Sequence, residues 1–219
     1  MSFSLLGSNA VPVHVEVEVS PGFPAYEVVG LAAPSVKESG VRVRAALEAA
    51  GRVMPRAKVT VNLAPADLRK RGGAFDLPIA VAVLAADHKV CLDPLQGLIL
   101  LGELGLDGSV RAVPGAHAAA MLARARGWRG VLVPRENVQE AATVDGLEVF
   151  GVGHLAALLA ALSGTPLPPP PRPASAAPPL PRLVTEARGP RLAGRAGARL
   201  QRLRVGKVWT TNEAPRRAA

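Results

Sequence analysis

The chain has 219 residues, 49% of them apolar and 3% aromatic, which gives room for one domain or two with a core of alanine, valine and leucine. Its one cysteine, Cys91, excludes an intrachain disulfide and fits a reducing, cytoplasmic setting, and the longest apolar run, Leu77 to Ala86, contains a proline and is too short to span a bilayer, so no membrane partner is expected. The net charge of +9 is uneven: residues 1–165 hold 15 Lys/Arg and 15 Asp/Glu, residues 166–219 hold 11 and 2, so any inference from basicity to nucleic acid attaches to the last quarter of the chain.

Val11 to Val19 alternates valine with Pro12, His14, Glu16 and Glu18, the pattern of a half-buried strand. Pro21-Gly22-Phe23-Pro24 turns the chain, and Tyr26 to Val29 reads as an antiparallel partner. Ser35, with Glu38 three residues on, predicts a capping box opening a helix to Ala50, with Val36, Val43, Leu47 and Ala50 near one face and Gly51 as the stop. Lys58 to Leu63 is a third strand. Asp76 reads as the N-cap of a helix from Leu77 to about Asp87, apolar nearly all round and therefore buried. Leu98 to Leu104 and Val110 to Val113 flank Asp107-Gly108, a hairpin signal. Gly115 to Arg126 predicts an alanine-rich helix and Gly130 to Val133 a short buried strand. A helix (Glu136 to Val144), a strand (Leu147 to Val152) and a helix (His154 to Leu162) follow. Hairpins mixed with βα units predict an α+β or α/β sandwich with a mixed sheet.

Residues 1–165 thus form the expected domain. Nine of the sixteen residues from Pro166 to Pro181 are proline, which predicts an extended linker over 166–182. Residues 183–219, rich in Arg, Ala and Gly without an apolar period, read as a disordered basic tail.

The segment Asn62 to Ala80 has the form of a functional loop: strand, basic glycine turn, helix start. Arg69, Lys70 and Arg71 beside Gly72 and Gly73 are the candidate contacts, to a phosphate, a DNA backbone or a neighbouring subunit; a solvated turn accounts for the same residues. Asp67 reads as a turn residue. Glu103 is either a subunit contact or part of a local hydrogen-bond network, and Lys37 and Glu38 either an interface pair or merely exposed.

Several blocks resemble the N-terminal domain of the magnesium-chelatase-related ComM/YifB proteins. They are Val29-Gly30-Leu31 with Ser35-Val36-Lys37-Glu38-Ser39; Asn62-Leu-Ala-Pro-Ala-Asp67 with Gly72-Gly73 and Phe75-Asp-Leu-Pro-Ile-Ala80; Gly102-Glu103-Leu104 with Leu106-Asp-Gly108; and Val133-Pro134 with Glu136-Asn137. Ala32 and Arg69 stand where that family usually has proline, and Arg71 where an acid is common. The resemblance implies a Lon-protease-like, ribosomal-protein-type α+β fold placed before an AAA+ motor, in a hexameric DNA-remodelling, branch-migrating ATPase linked to natural transformation. It implies self or an AAA+ motor as partner, and ATP and Mg only for the motor; nonspecific DNA contact is instead an expectation from Arg69 to Arg71 and the basic tail.

The chain itself offers little for catalysis. No G-x-x-x-x-G-K-[ST] occurs; Gly206-Lys207 is followed by Val208, with Gln201 where a glycine is needed. A Lon-like peptidase needs a serine in the glycine loop and a lysine in the later helix. Ala74, Phe75 and Asp76 stand at the first place, and His117 near the second. A lone His117 on an alanine-rich helix reads as structural, and His14, His88 and His154 are too scattered for a zinc set. No catalytic, cofactor or metal residue is therefore expected. The reading is a non-catalytic accessory domain truncated before its motor, with the tail an out-of-frame extension, a solubilising extension or a nonspecific nucleic-acid binder. The alternative is a nucleic-acid-binding module using Arg69 to Arg71 and the tail.

Overall fold

The computed structural model describes residues 1–7 and 9–165; the linker and tail expected at 166–182 and 183–219 lie outside the described residues. The chain is α+β. Strand β1 (Ser2–Leu6) pairs antiparallel with β2 (Asn9–Ser20), which no reading of the sequence anticipated. Strand β3 (Ala25–Val29) leads through helices α1 (Pro34–Lys37) and α2 (Ser39–Ala49) into β4 (Lys58–Ala64). The sheet order is β1-β2-β4-β3.

The sequence expectation for β3 is overturned: it runs parallel to β4 and does not touch β2, whose free edge is taken by seven residues of β4. The helical crossover through α1 and α2 gives the reason, because a helix between two strands returns the chain in the same direction. The valine alternation works as expected. Val15↔Leu63, Val17↔Val61 and Val19↔Val59 face one another on the core side. On the other face Asn62 donates to Glu16 at 2.7 Å and Lys58 pairs with Glu27 at 3.2 Å.

The Ser35/Glu38 capping box does not form. Pro34, whose fixed φ suits a first helical turn, starts α1 with Ala33 as cap, which places Ser35 inside that turn, and Glu38 closes α1 and precedes α2. Val36, Val43 and Leu47 are buried on the shared face.

Helix α3 (Asp76–Ala86) lies in the main core, with eight residues from Asp76 to Leu84 buried, in keeping with its all-round apolar surface. Strand β5 (Leu98–Leu100) joins a parallel sheet, while β6 (Glu103–Leu104) forms the short hairpin with β7 (Val110–Arg111). The single predicted strand from Leu98 to Leu104 divides at Gly102, where a Cβ would lie 2.7 Å from Val110 Cγ1 and 3.2 Å from Leu77 Cδ2.

Helix α4 (Ala116–Ala125), strand β8 (Gly130–Pro134), helix α5 (Val138–Ala141, shorter than read and preceded by a 3-10 turn over Arg135–Asn137), strand β9 (Glu148–Val152) and helix α6 (Leu155–Leu162) follow. The parallel sheet β5-β8-β9 is buried on both faces: Ile99, Val131, Val133 and Val149 pack with α4 and α5, whereas Leu98, Leu100, Leu132, Phe150 and Val152 join the cluster containing α3 and α6. Helices against both faces of a parallel sheet explain its unbroken apolar runs. No helix among the described residues is long and apolar enough to cross a membrane.

Candidate functional site

Four separated stretches of sequence meet at the start of α3. Asp76, read from sequence as an N-cap, is instead the first residue of the helix, with Phe75 preceding it, and its carboxylate is buried. Arg42, from the middle of α2, donates to it through Nε at 2.6 Å and Nη2 at 3.0 Å, a forked charge-assisted contact. Arg42 Nη2 also donates to the Ser35 carbonyl at 2.9 Å, and Asp76 Oδ2 accepts the Leu104 amide at 3.2 Å. Ser35 Oγ accepts the Gly72 amide at 3.3 Å. Backbone bonds from Gly102 N–H to Ala74 (3.1 Å) and from Leu77 N–H to Gly102 (3.0 Å) stitch the glycine loop to the hairpin strand. Burial pushes the Asp76 carboxyl up from its ordinary value, against the opposing pull of Arg42 and the Leu104 amide; the same contact raises the Arg42 guanidinium and keeps it charged.

The sequence reading missed Arg42 because it has no spacing relation to Asp76; only the packing of α2 on α3 brings them together. Its place among the apolar residues of α2, one position before the buried Val43, was the available signal.

The three basic residues of the loop divide. Lys70 forms an isolated parallel bridge with Ala32, with backbone bonds to Leu31 and Ala33, and so has strand-like alternation with its neighbours. Arg69 and Arg71 are exposed and Lys70 is fully buried. Its Nζ donates to the Gly30 carbonyl at 2.8 Å and to the Pro65 carbonyl. Lys70 is therefore not available to a phosphate, which corrects that candidate, and burial lowers its ammonium from the ordinary lysine value against a smaller pull from Asp67. Gly30 is fixed by close approach: its φ is +93° and a Cβ there would stand 2.2 Å from the Leu63 carbonyl oxygen. Gly73 lies against Glu103, whose Oε2 would be 2.2 Å from an added Cβ. The Gly72 amide is committed to Ser35, so the pair of glycine amides is not a free anion nest at the helix start.

Arg69, Arg71, Gly72 and Gly73 line a cleft of about 620 Å³ whose walls also include Phe3 to Gly7, Glu103 and Ala112 to Pro114. Ala74 and Phe75 also line the cleft, Phe75 as a buried residue. His117 is exposed and bonded to Thr143 Oγ1 at 2.8 Å, with its amide donating to Glu140 at 3.1 Å, a local contact outside the cleft lining. Among the described residues no group of three His, Cys, Asp or Glu is placed to hold a metal ion.

The family model described as subunit ChlI of Mg-chelatase matches residues 15–137, from β2 through the loop and hairpin to Asn137. The chain belongs to that family. The ChlI-type match contains each partner in the Arg42–Asp76 cluster. YifB of Escherichia coli is 44% identical over 159 residues, covering 73% of this chain and 31% of that protein. Rv2897c of Mycobacterium tuberculosis is 40% identical over 164 residues, covering 75% and 33%. The competence protein ComM of Haemophilus influenzae is 38% identical over 159 residues, covering 73% and 31%. The chain spans about a third of the length of these curated relatives.

Proposed function

We propose that residues 1–165 act as a non-catalytic N-terminal domain of a ComM-like protein, Lon-like in fold, that assembles, positions or regulates an AAA+ ATPase motor. The observation that carries this reading is the use made of the loop's chemistry. Asp76 is neutralised by Arg42, Lys70 is tied to two carbonyls, and Ala74 and Phe75 occupy the cleft. Covalent catalysis needs a nucleophile with a base in reach; residues 69–76 carry no serine, threonine, cysteine or histidine, and the one hydroxyl in the described lining, Ser4, donates to the Arg69 carbonyl at 3.3 Å. What the cluster does supply is a fixed loop with two exposed arginines. No cofactor is assigned to this domain; ATP and Mg belong to the motor in this proposal.

The test is assembly. In a full-length ComM-like protein carrying this domain, Arg69→Glu/Arg71→Glu is expected to reduce hexamer formation in sedimentation while leaving the thermal transition of the domain unchanged. Peptide cleavage or DNA-stimulated ATP turnover by the purified 219-residue chain, above a blank, would overturn the non-catalytic assignment.

Exposed Arg69 and Arg71 also keep nonspecific nucleic-acid contact as the second reading. Removing one phosphate-pairing arginine should shallow the salt dependence of binding by about one unit of slope. A slope unchanged by Arg69→Ala/Arg71→Ala would remove the loop from that reading.

A further inference from the structure

The cleft beside the glycine loop has a geometric property that its composition hides. Phe3, Ser4, Leu5, Leu6 and Gly7 all line it. Successive side chains of a strand point to opposite faces, so a cleft touched by five consecutive residues runs along the edge of β1 and not over one of its faces. That edge is open at its far end: β1 is the terminal strand of its sheet, among the described residues no backbone hydrogen bond reaches Leu5 or Leu6 from the side opposite β2, and these two are exposed whereas Ser2, Phe3 and Ser4 are buried. The Met1 carbonyl is taken by the Leu100 amide at 2.9 Å and Ser2 to Ser4 are buried, so the open edge begins at Leu5. The Ser4 hydroxyl donates to the Arg69 carbonyl at 3.3 Å, a single side-chain bond that an added strand has to displace. An uncovered edge is a template for another strand. The short strand is not blunted by charge or proline of its own, and Leu5 and Leu6 are 40% and 64% exposed.

Arg69 and Arg71 line the same cleft, the Arg69 carbonyl within hydrogen-bond reach of Ser4. Two residues apart on strand-like backbone, they are separated by roughly 6.6 Å along the chain. That matches acidic side chains at positions i and i+2 of an extended segment lying in the cleft. Glu103, against Gly73, is the one carboxylate in the lining among the described residues. Nucleic acid fits less well: two cations and one anion make a poor phosphate track, and an edge strand offers amides and carbonyls that a peptide satisfies in register.

We propose that this cleft docks an extended, acidic segment of a partner polypeptide as an added strand beside the exposed Leu5–Leu6 end of β1, with carboxylates at alternate positions paired to Arg69 and Arg71. This rests on the assembly reading above and gives the partner's chemistry.

The probe is a set of capped, labelled peptide mixtures of about ten residues with glutamate fixed at positions i and i+2, compared with lysine fixed at the same positions, each titrated into the full 219-residue chain. Glutamate mixtures are expected to bind and to shift the amide resonances of Ser2 to Gly7. N-methylation of alternate peptide amides should abolish binding without any change to the protein. Arg69→Glu/Arg71→Glu should weaken it about fivefold to tenfold, with the thermal transition showing that the variant folds. Equal binding of lysine and glutamate mixtures, indifference to N-methylation, or no binding up to millimolar peptide would each overturn the proposal. So would saturable binding of a single-stranded oligonucleotide that displaces the peptides and depends on the same arginines. If the peptides bind as described while the full-length variant still forms hexamers, the docking surface stands and the assembly reading fails; the reverse pair of results fails the docking surface alone.

Discussion

Truncating one end of the Arg42–Asp76 contact should cost far more than changing the other. Asp76 is 1% exposed and Arg42 22%. Arg42→Ala leaves a buried carboxylate with the Leu104 amide as its remaining hydrogen bond and frees the Ser35 carbonyl, a loss of about 3–5 kcal/mol. Asp76→Asn keeps an oxygen for Leu104, and the side chain of Arg42 can turn its charge toward water, so about 1–3 kcal/mol is expected. The two costs also differ in pH dependence. The folded pKa of Asp76 lies above its ordinary 3.8. Protonating it therefore favours the folded state; that benefit is complete below 3.8 and is lost as pH rises through the folded value. Removing Arg42 removes the main opposing pull and enlarges the effect. The penalty of Arg42→Ala, measured by urea denaturation against the unaltered protein, should grow as pH rises above 3.8, while that of Asp76→Asn stays flatter. A penalty for Arg42→Ala below about 1 kcal/mol, or one that shrinks as pH rises, would refute the account of a buried carboxylate held by its arginine.

Lys70 should resist an amine-acylating reagent in the native protein while Lys37, Lys58 and Lys89 react, as read by peptide mass spectrometry; Lys70→Met should cost about 2–3 kcal/mol, because two carbonyls lose their donor. Gly30→Ala is expected to prevent folding, since the added Cβ meets backbone at a positive φ, whereas Gly73→Ala meets the Glu103 side chain from Cγ outward, which has to swing aside, and should cost about 1–2 kcal/mol in thermal denaturation. His154 caps α6 by accepting the Ala156 amide at 3.1 Å through Nδ1, and its Nε2–H donates to the Asp107 carbonyl at 2.9 Å. His154→Ala should lose about 1–2 kcal/mol, with His154→Asn recovering part of it; equal stability of the two variants would argue against a capping role.

Most elements could be read from the sequence because each announces itself locally. The valine alternation of β2, the apolar helix from Leu77 and the glycine stop at Gly51 depend on near neighbours. The errors fall where a distant partner decides. β3 joined β4 because a helical crossover sets strand direction, which alternation cannot express. Ser35 left its cap because Pro34 opens the helix first and Gly72 lies within reach. β1 escaped notice because Ser2, Phe3 and Ser4 are all buried, so the strand lacks the two-residue period of a half-exposed one.

The loop itself was misread for a related reason. Charge in sequence suggested three solvent-facing bases, but a strand-like segment must turn alternate side chains inward, and the middle one is Lys70. Its ammonium can be buried only because two backbone carbonyls receive it. Asp76 can be buried only because Arg42 reaches across from α2. Both charges thereby fix the loop to elements on either side: Lys70 to the Gly30 turn after β3, Asp76 to α2 and the hairpin. A lid that opens and closes would have to break these contacts at several kcal/mol each, so the loop is better suited to presenting a fixed pair of arginines than to moving over a substrate.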